Sequence, residues 1–217
     1  DSLGFDEGLK KSFVKNLEMP HGIILVTGPT GSGKTTTLYT ALSQINTPAR
    51  KIINVEDPVE YQLEGVNQIQ AQSSIGLDFA HALRAIVRQD PDVIMIGEMR
   101  DLETISLAVE AASTGHLVFS TLHTSSAYKT VDRVIEVFPS HEQPLIRSTL
   151  SDGLRAVVAQ TLFKRIDRKG RIVALEILIA NPAVRNLIRE GKTHQIPSMI
   201  QTGKKYGMIL LDDYIMD

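Results

Sequence analysis

GIILVTGPTGSGKTTTLYTALSQI, residues 22–45, joins an apolar run to a helical run through a loop with three glycines. GIILVT is apolar almost throughout, as a strand buried on both faces must be. Within the loop, GPTGSGKT (Gly28 to Thr35) sets Gly28, Gly33, Lys34 and Thr35 at the spacing of a phosphate-binding loop. Such a loop needs a strand before it and a helix after it, because backbone N–H groups and a helix N-terminus do the binding. Both flanks are present. Glycines let the backbone approach closely, Lys34 can reach the β- and γ-phosphates, and the Thr35 hydroxyl can ligate a metal. The nucleotide-binding set is therefore Gly28, Pro29, Thr30, Gly31, Ser32, Gly33, Lys34, Thr35 and Thr36, with ATP and Mg²⁺ as the ligands.

Outward from this stretch, Lys51 to Val55, Val93 to Ile96 and Leu117 to Leu122 repeat the strand pattern of Ile23 to Thr27. Helical stripes fill the gaps: Phe79, Leu83, Ile86 and Val87, then Leu102, Ile105, Val109 and Ala112. Strands alternating with helices imply an α/β fold with a parallel sheet.

Each further strand ends in reactive groups. Asp92 to Glu98, DVIMIGE, ends in a carboxylate; a strand beside the phosphate loop brings Glu98 near the metal, to hold it or to polarise the attacking water. VEDPVE, Val55 to Glu60, offers Glu60 as a general base, although Asp57-Pro58 is also ordinary turn chemistry. His116 and His123 flank one strand with a seven-residue offset, which turns them to opposite faces, so they cannot share a metal. His123 is either a γ-phosphate sensor or a satisfied turn histidine. Of the many arginines, Arg84 and Arg88 sit opposite an apolar stripe and read as solvated.

From about Ser126 the pattern turns mainly helical, with Val131, Val134, Ile135 and Phe138 on one face. A hairpin of Val157 to Phe163 and Arg171 to Ile179 interrupts it around RIDRKG. AVRNLIRE, Ala183 to Glu190, follows Asn181 and Pro182 at N-cap and first helical position. Val184, Leu187 and Ile188 share its apolar side, and Arg185, Asn186, Arg189 and Glu190 face outward.

Composition limits the chemistry. With 217 residues the chain can bury a sizeable core, and without cysteine it has no disulfide, thiol nucleophile or tetracysteine zinc site. A net charge of −2 with dispersed basic residues argues against nucleic acid as partner. No apolar run approaches the roughly 20 residues of a bilayer span, which argues against direct membrane insertion.

In order, GPTGSGKT, VEDPVE, RQDPDVIMIGEMRDLET, TGHLVFSTLHT and AVRNLIRE resemble the Walker A, Asp box, Walker B, His box and C-terminal motif of the type II/IV secretion ATPases. The likeness runs from about Leu3 to the C-terminus and implies a RecA-like P-loop core in residues 21–125, followed by a mainly helical part in 126–217 with a small hairpin. It further implies a cytoplasmic homohexamer at the inner-membrane face of a pilus or secretion machine, passing strokes to a platform protein. Glu60 then corresponds to the Asp-box catalytic glutamate, Glu98 to the Walker B glutamate and metal site, and His116 and His123 to the His-box pair. Arg133, in KTVDRV, falls in a stretch similar to the region of a trans-acting arginine. Family members carry an N-terminal domain, so residues 1–20 resemble the linker from it. Residues 60–92 look closer to the assembly and secretion branch, whereas AVRNLIRE and the absent cysteines look like the retraction branch. A P-loop kinase would need an acceptor pocket and lid, for which no motif is present. A nucleotide-gated interaction module has no need of both Glu60 and Glu98.

Overall fold

The computed structural model describes residues 7–166 and 168–216. Helix α1 (Glu7–Leu17) leads to strand β1 (Gly22–Thr27), and α2 (Lys34–Ile45) carries the chain to β2 (Ile52–Glu56). Next come β3 (Val66–Gln70), α3 (Phe79–Ile86), β4 (Val93–Ile96), α4 (Leu102–Ser113), β5 (Leu117–Leu122) and α5 (Ala127–Glu136). The remainder is α6 (Gln143–Gly153), β6 (Leu154–Lys164), β7 (Arg171–Ile179), α7 (Pro182–Arg189), α8 (Ile196–Thr202) and α9 (Leu211–Met216).

One seven-stranded sheet runs through these elements in the order β3-β2-β4-β5-β1-β6-β7. All neighbours are parallel except β6 and β7. The fold is thus the expected α/β type. The alternation of β1 explains its central place: Ile23 and Leu25 enter one apolar layer, Ile24 and Val26 the other. Helices α3 to α8 cover the first layer, and α1, α2 and α9 flank the second. Burying aliphatic side chains on both faces stabilises by about 1.5–3 kcal/mol for each one fully buried.

Two of the strands read from sequence coincide with β4 and β5, and two, β1 and β2, shift by one residue. Strand β3, VNQIQ, has no apolar run; as a half-exposed edge strand it rests on backbone pairing with β2. The hairpin is a larger departure. Expected as a small insertion in a helical part, its strands extend the core sheet, because β6 pairs with β1 and its first seven residues are fully buried. The sheet and both apolar layers therefore cross position 125/126. Asp167, in the RIDRKG stretch of the sequence, lies outside the described residues, as do residues 1–6 of the linker-like start. Of the rest of that start, Phe13 and Leu17 on α1 are buried.

Local caps match the sequence signals. Asp101 accepts from Thr104 N ahead of α4, and Asn181 accepts from Val184 N ahead of α7 with Pro182 at its first turn. Helix α7 is tied to α6 by Arg189 Nη2 to Asp152 Oδ1 at 2.9 Å. The buried Arg155 at the start of β6 donates from Nε to His21 O at 2.9 Å and from Nη1 to Asp152 O at 2.8 Å. Arg185, expected to face outward, is half-buried and donates from Nε to Ala180 O at 2.8 Å. Among the described residues no helix is long and apolar enough to cross a membrane.

The two sides of α7 have different energetic roles. Ile188 is fully buried, so Ile188→Ala should lower stability by about 2–5 kcal/mol, whereas exposed Asn186→Ala should stay within about 0.5 kcal/mol. Urea denaturation of the two variants checks this, and equal losses would place the energetics of α7 elsewhere than its apolar side.

Candidate functional site

The strand order places the site. Consecutive strands β1 and β2 are separated by β4 and β5, so the loops after their C-terminal ends diverge and open a crevice. Glu98 was expected on a strand next to the phosphate loop; instead β5 intervenes between β4 and β1.

At the end of β1, Gly28 has φ 142°, and a Cβ there would lie 2.1 Å from the carbonyl oxygen of Gln160 in β6. No other residue fits without moving β6. Gly33, at φ 88°, is the N-cap of α2 and supplies no side-chain cap, which leaves first-turn amides to a ligand. Lys34 Nζ donates to Gly28 O at 2.8 Å and Pro29 O at 3.0 Å. Burial lowers the Lys34 pKa, opposed by the negative charge of Glu98. The buried amide of Gln160 braces the loop, donating from Nε2 to Ser32 O at 2.5 Å and accepting at Oε1 from Thr37 Oγ1 at 2.8 Å.

Across the crevice, Ser120 Oγ donates to Ile96 O at 2.9 Å and Thr121 Oγ1 to Gly97 O at 2.6 Å, which pins the end of β4 to β5. This pinning fixes Glu98 beside His123. Glu98 Oε1 lies 2.6 Å from His123 Nε2, and Oε2 accepts from Arg100 Nη2 at 2.7 Å. Only 16% of the Glu98 side chain is exposed, against 74% for Arg100. Burial raises the Glu98 pKa, but the hydrogen bonds and charges of Arg100 and His123 outweigh it and hold the carboxyl below its ordinary value.

The third wall is the segment after β2. Glu56 is buried and accepts from Tyr39 Oη at 2.5 Å, while the exposed Glu60 borders the crevice. Burial, then the hydrogen bond to Glu56, pushes the Tyr39 hydroxyl well above its ordinary value. The crevice measures about 630 Å³, with Lys34, Thr35, Glu60, Glu98, Arg100 and His123 in its lining.

Residues 1–176 match the family described as "Type II/IV secretion system protein". The chain belongs to that family. It is 53% identical over 204 residues to a "Twitching motility protein" of Neisseria gonorrhoeae, covering 92% of this chain and 54% of that protein. It is 51% identical over 209 residues to the "Type IV pilus retractation ATPase PilT" of Pseudomonas aeruginosa, covering 94% of this chain and 60% of that protein. The chain therefore spans little more than half the length of these relatives. Among solved structures, "Crystal Structure of the Pilus Retraction Motor PilT and Bound ADP" superposes with a TM-score of 0.83 at 42% identity, covering 99% of this chain and 65% of that one.

Against this family background the motifs separate into those that meet and those that do not. Glu60, Glu98, His123 and the phosphate loop meet at one crevice. His116 does not: it lies at the opposite end of β5, where Nδ1 is 3.1 Å from Ala111 O, in the turn after α4. A six-residue strand separates the two histidines. Arg133 is exposed on α5 and lines a neighbouring hollow of about 500 Å³ that shares Glu98, Arg100 and His123. Sequence reasoning missed Gln160 as the brace of the loop, since nothing local marks a residue 128 positions away. It also left Arg100 among many arginines, although its place two residues after Glu98 was a usable signal.

A depressed carboxyl pKa stabilises the folded chain above the ordinary glutamate range and is lost as pH falls through the folded value. Arg100→Gln should therefore move the Glu98 titration upward and start this acid loss at higher pH. Because Arg100 is mostly exposed, added salt should shrink the difference. A carbon-13 titration of the Glu98 carboxyl reads the shift, and an unmoved curve would mean that Arg100 does not hold its charge.

Proposed function

We propose that this chain is the ATP-hydrolysing motor part of a hexameric ring that powers type IV pilus retraction. The observation that carries the reading is the meeting of Lys34 and Thr35 with Glu98, His123 and Glu60 at one crevice, on a chain that shares about half its residues with a twitching motility protein and a pilus retraction ATPase.

The residues suit Mg²⁺-ATP. Uncapped first-turn amides of α2 and the Lys34 ammonium meet phosphate, and hard oxygen donors from Thr35 and Glu98 would hold the metal. Among the described residues no group of three or more acidic, histidine or cysteine side chains is placed to hold a metal ion, so oxygens of the nucleotide phosphates and water would supply the other ligands. When bound, the metal neutralises charge developing on the β- and γ-phosphates. Glu60 accepts the proton of the attacking water. His123, held on Glu98, senses the γ-phosphate. Arg133 lies outside the crevice, a position that suits action on a neighbouring subunit's nucleotide. The full-length protein works at the cytoplasmic face of the inner membrane on a pilus platform protein, without nucleic acid and without membrane insertion of its own.

A second reading, a type II secretion or pilus assembly motor, has its own support. The chain is 61% identical over 165 residues to a "Type II secretion system protein E" of Xanthomonas campestris. That match covers 76% of the chain, against 92% and 94% for the two pilus relatives, which favours retraction.

Lys34→Ala should weaken binding of a fluorescent ATP analogue and abolish turnover; wild-type affinity with intact turnover would put the phosphate site elsewhere. Glu60→Gln and Glu98→Gln should each slow steady-state hydrolysis by roughly 10² or more, with ATP still bound at least in Glu60→Gln. In cells, deletion of the gene should leave heavily piliated bacteria that do not twitch. Bald cells would select the assembly reading.

A further inference from the structure

Glu60 stands in a segment without regular structure, yet a general base must be held within hydrogen-bond reach of its water. What holds the segment is a buried polar knot beneath it. Glu56, the last residue of β2, is 3% exposed and has no cationic partner among the described contacts. Its Oε2 takes the short bond from Tyr39 Oη, and its Oε1 accepts from Gln68 Nε2 at 3.2 Å and Asn54 Nδ2 at 3.4 Å. A carboxylate buried without a cation depends on such donors, so the knot has little freedom to rearrange.

Two side chains carry this order into the Glu60 segment. Gln68 Nε2 donates to Tyr61 O at 3.1 Å, and Gln68 Oε1 accepts from Leu63 N at 2.7 Å, so the amide brackets the chain just past Glu60. The bond from Leu63 N fixes which end of the amide faces the carboxylate. Gln68 Nε2 also lies 3.2 Å from Tyr39 Oη, and the Tyr39 and Tyr61 rings sit edge to face with centroids 4.7 Å apart. Tyr39 belongs to α2, the helix that opens with Lys34 and Thr35.

From this juxtaposition we infer that Tyr39 and Gln68, both clamped on buried Glu56, are positioning residues for Glu60 and tie its segment to the helix that begins at the phosphate loop. Neither touches the reacting atoms. The inference rests on the reading of Glu60 as the base.

The test is steady-state ATP hydrolysis by the full-length protein, with thermal unfolding of every variant. Gln68→Met keeps side-chain length and removes the amide; Tyr39→Phe keeps the ring and removes the hydroxyl. Each should lower kcat by about ten- to a hundred-fold, the scale of a small misplacement of a catalytic group, with KM for ATP within about twofold of wild type. In a Glu60→Gln background both substitutions should have almost no further effect on kcat, because the group they position is already gone. A structural role alone would instead lower kcat in both backgrounds or raise KM, and either result overturns the inference. Wild-type kcat in both folded variants, with Glu60→Gln impaired, overturns it and leaves the base assignment standing. Full turnover in Glu60→Gln removes the base assignment and the inference together.

Discussion

The site depends on one close approach of backbone to backbone. Gly28 comes so near the Gln160 carbonyl that a single added carbon would collide at 2.1 Å. That contact lets the chain leave β1 and turn while β6 still runs alongside β1. The Gln160 side chain then grips Ser32 and Thr37 from the other side of the same turn. Loop, helix start and strand are one packed unit, and the absence of a side chain at Gly28 is what permits the packing.

A second consequence of the topology is electrostatic. Parallel strands bring the chain to the same rim each time, and the rim collects Lys34, Glu98, Arg100, His123 and Glu60 within a crevice of about 630 Å³. Glu98 is the pivot of that set. Its charge is favoured by Arg100 and His123 and opposes the lowering of Lys34's pKa by burial, so loss of the Glu98 charge would lower the Lys34 pKa further. The exposed part of the set, Arg100, His123 and Glu60, faces solvent and salt; half-buried Lys34 and Glu98 set the field they work in.

How much of this was legible in the sequence varies by physical cause. Strands β1, β2, β4 and β5 are nearly continuous apolar runs, and the demand for burial on both faces writes itself into composition. The phosphate loop was legible because its spacing is local. Strand β3 was not, because an edge strand needs backbone partners more than apolar side chains. The hairpin was seen as a hairpin but not as part of the main sheet, since local pattern gives strands and not their neighbours. His116 and His123 fall at opposite ends of β5, and the partner of His123, Glu98, is 25 residues away and brought near only by the β4–β5 register. Glu56, Tyr39 and Gln68 sit on three different elements, and of the three only Glu56 falls inside a motif, VEDPVE.

Arg155 gives the fold a mechanical character. It grips His21 O at the mouth of β1 and the Asp152 carbonyl at the end of α6, and the Asp152 carboxylate in turn takes Arg189 from α7. Strand β1 is thus anchored at its far end to the α6–α7 pair and ends, six residues and about 20 Å later, in Gly28. A buried strand flanked by two hydrogen-bonded neighbours is stiff along its axis. It joins the phosphate loop to the surface that carries AVRNLIRE through main chain, Arg155, Asp152 and Arg189.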